Sequence, residues 1–235
     1  MKPLLTARVT VLEAFRGWMC ANEEDEPWRT EENFLQSLKG ILIPNAKMNF
    51  GSAGHLIIEK PQANKTDTGY LIDGHSLTFE QVRPLLQYVS EHPLMKREIP
   101  IAKRYSTRFF DLIVTGTVDC LEGCQLRDNK FIFSSKDMSD YLDSLQWRFY
   151  LDMLNLNVFF YDFHRVYSYE KLEDCAKARI ADTESMMVCA YEGMQGDIQG
   201  WLESFAEYVT AKQLTNYLTI DAEKALKIRR GGIKI

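Results

Sequence analysis

The elements predicted from the sequence run helix, strands, helix, strand, helices, an order that defines an α/β fold with a central mixed sheet flanked by helices. Three stretches carry that prediction. In 114–135, VTGTVDCLEGCQLRDNKFIFSS, Val114, Val118 and Leu121 on one arm and Leu126, Ile132 and Phe133 on the other read as two strands around a tight turn. SDYLDSLQWRFYLDML, from Ser139, repeats apolar residues at helical spacing. Val158–Tyr167 then reads as a further strand.

The remaining elements follow in order. Leu5, Val9, Leu12 and Phe15 are spaced for a helix over 4–20. The acidic loop NEEDEPWRTEEN comes next, then a short helix at Phe34–Leu42. In MNFGSAGHLIIEK, Gly51 and Gly54 precede an apolar pattern that predicts a helix carrying His55 and Glu59. QANKTDTGYLIDGHS is a loop or hairpin, and Thr78–Glu91 a helix stopped by Pro93. Ile99–Ile101, Arg108–Leu121 and Gln125–Ser135 are predicted strands, and 171–219 is predicted mostly helical, most clearly in GWLESFAEYVTAKQL. GMQGDIQG is glycine-rich, but no strand precedes it and its spacing is not a dinucleotide fingerprint; it reads as a turn before a helix. With no repeat, low-complexity tract or linker, one domain is expected, its core at about 45–170 and a helical C-terminal extension over 171–235.

The 235 residues are 46% hydrophobic and 26% charged, ordinary for a globular protein, and contain no apolar run long enough for a membrane span. MKPLLTARVTVLEAFRG lacks the uninterrupted apolar core of a signal peptide. The five cysteines, Cys20, Cys120, Cys124, Cys175 and Cys189, are too scattered for a disulfide framework, so a reduced cytoplasmic protein is expected. The net charge of −5 argues against a protein that coats duplexes, where phosphate neutralisation dominates. Positive charge is local: Lys96, Arg97, Lys103, Arg104 and Arg108, and then Lys224, Lys227, Arg229, Arg230 and Lys234. A solvated surface accounts for either cluster alone.

The hairpin carries the chemistry. With Gly123–Cys124 at the centre of a type II′ turn, 122 pairs with 125, 121 with 126, 120 with 127 and 119 with 128. Asp119 and Asp128 then face each other with Cβ atoms roughly 4.5–5.5 Å apart, and Lys130 shares the face of Asp128. Carboxylates that close raise each other's pKa unless a cation lies between them. Hard oxygens suit Mg²⁺ or Mn²⁺, and an adjacent ammonium neutralises developing phosphate charge. The competing reading makes Asp128-Asn129 a second turn with exposed charges. Downstream, Gln146 and Tyr150 are four apart on one helical face with Leu142, Leu145, Phe149 and Met153. A Gln on an inward face needs partners, either main chain or a neighbouring site.

His55 in GSAGHLIIE, Gly116-Thr-Val-Asp119, Asp128-Asn-Lys130 and Gln146-Trp-Arg-Phe-Tyr150 form an ordered set over about residues 45–167. This set resembles the PD-(D/E)XK nuclease superfamily, and within it the RecB-like exonucleases often encoded by phages. The resemblance implies a restriction-endonuclease-like fold: a central mixed sheet with helices on both sides and the active site on the second and third core strands. By similarity Asp119 and Asp128 are metal ligands, with the Asn129 backbone carbonyl and His55 as further ligands and Lys130 as the catalytic lysine. Gln146 and Tyr150 position the site and contact DNA, and Glu59, one turn from His55, is either a supporting residue or a surface acid.

What the resemblance implies is a Mg²⁺- or Mn²⁺-dependent deoxyribonuclease, an exonuclease with an endonuclease left open, acting on phage or bacterial DNA in recombination, replication or processing. DNA is the expected partner, with a phage recombination or annealing protein as a further one, no membrane, and the oligomeric state left open. Relatives often carry Thr or Ser directly after the lysine, where this chain has Phe131-Ile132-Phe133 before Ser134-Ser135. That departure keeps a second reading alive, a catalytically degenerate binding or interaction module of the same fold. The late cysteines are only Cys175 and Cys189, so no iron–sulfur cluster is expected. His75, His92 and His164 match no motif and read as loop, helix-end and strand residues.

Overall fold

The computed structural model describes residues 2–22, 29–41, 45–72, 75–133, 138–167 and 178–218. Strands β1 (Leu4–Arg8), β4 (Lys96–Ser106), β5 (Asp111–Glu122), β6 (Gln125–Ile132), β7 (Val158–Tyr167) and β8 (Arg179–Cys189) form one mixed six-stranded sheet. A separate hairpin pairs β2 (Gly69–Ile72) with β3 (His75–Thr78). On one face, α1 (Val9–Met19), α2 (Glu31–Leu38), α5 (Leu145–Leu154) and α6 (Met194–Ala211) bury a core that includes Phe15, Phe34, Phe149 and Phe205. On the other, α3 (Ala46–Glu59), α4 (Arg83–Glu91) and the hairpin bury Ile57, Leu77 and Leu85. This is the layered mixed α/β architecture expected, helical at its C-terminal end, and consistent with a restriction-endonuclease-like fold.

The topology opens a fork in the sheet. β4 runs antiparallel along nearly all of β5, from Lys96–Leu121 to Ser106–Asp111. Along its other edge β5 has two partners. Parallel β1 pairs with it from Leu4–Asp111 to Arg8–Thr115, and β6 pairs with it only from Cys120–Arg127 to Glu122–Gln125. Gly116, Thr117, Val118 and Asp119 lie between those two ladders. α5 closes part of the gap: the Tyr150 hydroxyl donates to the Thr117 carbonyl at 2.9 Å.

Several boundaries differ from the sequence expectation. The predicted 4–20 helix is strand β1 followed by α1, because Leu5 and Ala7 point into the core beside β5 before the helical repeat begins. The helix expected at Phe34–Leu42 is α2, started by Thr30, whose side chain accepts from the Asn33 N–H at 3.2 Å; Leu42 lies outside the described residues. The Thr78–Glu91 helix begins at Arg83, with Pro84 in its first turn. β4 exceeds Ile99–Ile101, and the strand expected from Arg108 starts at Asp111, after a turn in which the Thr107 side chain and the Phe110 backbone bond. The strand expected to reach Ser135 ends at Ile132. The long amphipathic stretch divides into a 3-10 turn, Met138–Tyr141, and α5, capped by Ser144. Leu142 is thereby outside α5 and exposed. Part of the region expected to be mostly helical forms β8, which pairs with β7 and shields the far edge of the sheet; helix resumes at Met194. The tail cluster Lys224–Lys234 and Cys175 lie outside the described residues.

Candidate active site

The hairpin turn is as expected: Gly123 has φ +59°, and the pairs 122–125, 121–126 and 120–127 form. The ladder stops there, one pair short of Asp119 and Asp128. Instead of facing Asp128 in a regular pair, Asp119 accepts from the Asn129 backbone N–H at 2.8 Å, so the two strands splay where the carboxylates lie. β6 alternates sides: Asp128 and Lys130 turn toward α5, whereas Asn129 and Phe131 turn toward α3 and β7.

Asp128 is 1% exposed. Its Oδ1 accepts from Gln146 Nε2 at 2.7 Å, and its Oδ2 is ion-paired with Lys130 Nζ at 2.5 Å. Lys130 Nζ also donates to Gln146 Oε1 at 3.0 Å. The amide of Gln146 thus bridges anion and cation, and Tyr150 OH stands 3.5 Å from its Nε2. Asp128-Asn129 is therefore ordered strand rather than an exposed second turn. Burial pushes the Asp119 and Asp128 carboxyls up to about 6, against the opposing pull of Lys130. The Lys130 ammonium loses hydration by burial, but the carboxylates around it outweigh that loss and raise its pKa.

His55, on α3, approaches from the other side of the fork: its Nδ1 is 3.4 Å from Asp119 Oδ2 and its ring rests edge-on against Phe131. Burial lowers its pKa, with Asp128 pulling the other way. Glu59 is not brought to the carboxylates; it pairs with Lys60 at 2.6 Å. The apolar residues after Lys130 have a packing role. Phe131 lies so close to α3 that a Cβ at Gly54 would stand 2.1 Å from its ring.

A cavity of about 670 Å³ opens onto His55, Asp119, Asp128, Lys130, Gln146 and Tyr150 and continues along the fork toward the start of α1. A buried carboxylate, Asp128, and a part-buried one, Asp119, at the wall of the same cavity are oxygen donors that suit a hard cation. Among the described residues no three His, Cys, Asp or Glu side chains are gathered closely enough to hold an ion.

Two supporting residues escaped the sequence. His164, on β7 and fully buried, holds Asn129 Oδ1 at 2.9 Å through Nε2 and Thr183 Oγ1 at 2.8 Å through Nδ1. Burial lowers its pKa to about 3, so it is neutral. It fixes the Asn129 side chain, and with it the peptide that clamps Asp119. The parallel register, which puts Asn129 opposite Asp162 and Lys130 opposite Phe163, carries this contact and leaves no local sequence mark. Glu98, with φ +52°, lies between the pairs Arg97–Cys120 and Ile99–Val118, which flank Asp119 on β5. Its charge helps raise the Asp119 carboxyl. Of the 96–108 basic cluster, Lys103 pairs with Asp152, Arg104 with Asp111, and Arg108 with Glu203 and Glu207.

No protein-family model matches the chain, and no curated protein matches it. Among solved structures it is similar to SSO0001, at 13% identity and a TM-score of 0.41 over 82% of this chain and 72% of that one. It is also similar to a phage-related exonuclease from Haemophilus somnus 129PT, at 10% identity and a TM-score of 0.40 over 91% of this chain and 97% of that one. Likeness at this level identifies neither chemistry nor substrate. No helix among the described residues is long and apolar enough to cross a membrane.

Proposed function

We propose that the chain is a metal-dependent deoxyribonuclease that hydrolyses phosphodiester bonds at the fork between β1 and β6, with an exonuclease as the leading form. The observation that carries this reading is the closed set Asp128–Lys130–Gln146, beside Asp119 and His55 at the wall of one cavity. Asp119 and Asp128 would hold Mg²⁺ or Mn²⁺, with the Asn129 carbonyl and His55 as further donors. When bound, the ion supplies the Lewis acid that lowers the pKa of an attacking water and offsets phosphate charge. Lys130 stays protonated beside Asp128, so it serves as a fixed cation for the developing negative charge rather than as a general base. Gln146 holds that ammonium in place from one side while its NH₂ fixes Asp128. Tyr150 anchors α5 to the open edge of β5 through Thr117. DNA is the substrate in this reading, and a phage recombination or annealing protein a further partner in the cytoplasm.

The test is cleavage of end-labelled linear DNA, single- and double-stranded, by the wild type and Lys130→Ala with Mg²⁺, Mn²⁺ or EDTA. Metal-dependent degradation that falls by about 10²–10³-fold in the variant is the expected result. A folded wild-type protein that binds DNA and cuts nothing under any condition overturns it. That outcome favours the second reading, a binding module that has lost catalysis, for which the lack of three gathered ligand side chains among the described residues is the supporting observation.

A further inference from the structure

The cavity extends beyond the carboxylates to a feature that the catalytic reading does not use. β1 leaves the sheet at Arg8, beside Thr115, and α1 starts at once, so the N-terminus of α1 opens at the carboxyl end of a strand next to the fork. Crevices at that point of an α/β sheet are where ligands bind. The first N–H groups of a helix have no partner within the helix, and the helix dipole makes the same end positive. In α1 nothing local answers them: the N-cap Arg8 makes no side-chain capping bond, and the first turn contains no acid.

A second observation is independent of the helix. Thr6 is 8% exposed, its Oγ1 is fully buried without a hydrogen-bond partner, and Thr6 lines this same cavity. A buried hydroxyl left unpaired implies a missing acceptor or donor. Two cations frame the spot. Arg8 is exposed and makes one long bond, 3.4 Å to the Ser37 carbonyl, and Lys39 stands exposed at the end of α2. Both line the cavity, together with Thr10.

We infer that the α1 N-terminus with Thr6, Arg8, Thr10 and Lys39 is an anion subsite for a phosphate of a single nucleic-acid strand that runs along the same cavity to Asp119 and Asp128. The choice of nucleic acid rests on the proposed nuclease function; the anion site rests on the helix start, the unpaired hydroxyl and the two cations. The subsite accepts either an internal phosphodiester or a terminal phosphate, since both present the same oxygens. It gives an acidic protein a local positive grip on the strand, in a wall continuous with the reaction site.

The test is fluorescence anisotropy in EDTA with a 3′-labelled oligothymidylate, carrying a 5′-phosphate in one arm and a 5′-hydroxyl in the other, over a salt series. The wild type is compared with Arg8→Gln, Thr6→Val and Thr10→Glu, each also followed by thermal unfolding. Arg8→Gln lowers the slope of log affinity on log salt by about 0.7, the counterion release of one phosphate contact on a single strand. Thr10→Glu places an acid in the first turn, which favours the helix, so the protein keeps or raises its Tm while affinity falls about tenfold or more. Thr6→Val removes the hydroxyl at constant shape and weakens binding without loss of Tm. A loss confined to the 5′-phosphate arm makes the bound group terminal; an equal loss in both makes it internal. If Arg8→Gln and Thr10→Glu bind with wild-type affinity and slope, the subsite is overturned, whether or not the protein cuts DNA. If they lose affinity while the wild type cleaves nothing with any metal, the subsite stands and the nuclease reading fails.

Discussion

Asp128 and Asp162 are buried carboxylates on adjacent strands, and they lead opposite lives. Asp162, on β7, is fully buried and saturated: it takes Arg127 Nη1 at 2.9 and 3.0 Å, the Tyr88 hydroxyl at 2.7 Å and the Ser185 hydroxyl at 2.5 Å. Asp128, on β6, is buried to nearly the same degree, but its side-chain partners are Gln146 and Lys130 at the cavity wall, and its carboxyl is pushed up to about 6. One strand supplies both patterns. Arg127 turns to the closed network and Asp128 to the cavity, so alternation along β6 separates a scaffold from a reaction site. A charge enclosed by Arg127, Tyr88 and Ser185 holds the sheet together; one whose partners stand at the wall of an open cavity is available to a ligand.

Substitution should break that contrast most sharply. Asp128→Asn should lose DNA cleavage by about 10³-fold, as for a group that acts only on the reacting centre. It should cost less folding stability than Asp162→Asn, because the burial that raises this carboxyl to about 6 is relieved and the part-exposed Lys130 keeps the Gln146 oxygen. Asp162→Asn should do the reverse. Leaving Arg127 buried without its carboxylate costs about 3–5 kcal/mol, read as a large fall in the denaturation midpoint. Comparable stability losses in both variants would mean that Asp128 is part of the scaffold too.

The same division decides what could be read from the sequence. Strand alternation puts Asp128 and Lys130 on one face and helical spacing does the same for Gln146 and Tyr150, and the structure brings the two pairs together; the direct facing of Asp119 and Asp128 that the hairpin predicts does not form, because the ladder ends one pair short. His164 could not be placed, because its contact with Asn129 depends on a parallel register that no local pattern specifies. β1 was hidden for a different reason: Leu4 and Leu5 continue into the apolar spacing of α1, so one helical repeat covers a strand and a helix. β8, ARIADTESMMVC in context, is exposed along much of its length and carries no run of β-branched residues. What makes it a strand is the edge of β7, a tertiary cause.

Gly116 offers a smaller break in the contrast, at the fork itself. A Cβ there would stand 2.5 Å from the Tyr150 ring, so Gly116→Ala must displace that ring and strain its hydroxyl's bond to the Thr117 carbonyl. The expected cost is about 1–3 kcal/mol, with cleavage falling further than stability because the same hydroxyl stands beside Gln146. Measuring both in one variant checks this. An alanine protein with normal cleavage would show that the Tyr150 bond to the open edge is dispensable.

Proton linkage gives the finest test. Both site carboxyls are raised by burial to about 6 in the metal-free protein, above an unfolded value of roughly 3.9. The folded state therefore binds these protons more tightly than the unfolded chain. Their contribution to stability is full below about pH 4 and is lost as pH rises through 6. Metal-free Tm should fall across that window, apart from changes elsewhere in the chain, and Asp119→Asn should flatten the fall. A divalent cation competes with those protons for the same oxygens. Mn²⁺ at tenfold over its Kd should add about 1.4 kcal/mol near pH 7.5 and much less at pH 5. A Tm gain from Mn²⁺ that is equal at both pH values, or that survives in Asp119→Asn, would place the ion away from this pair of carboxylates.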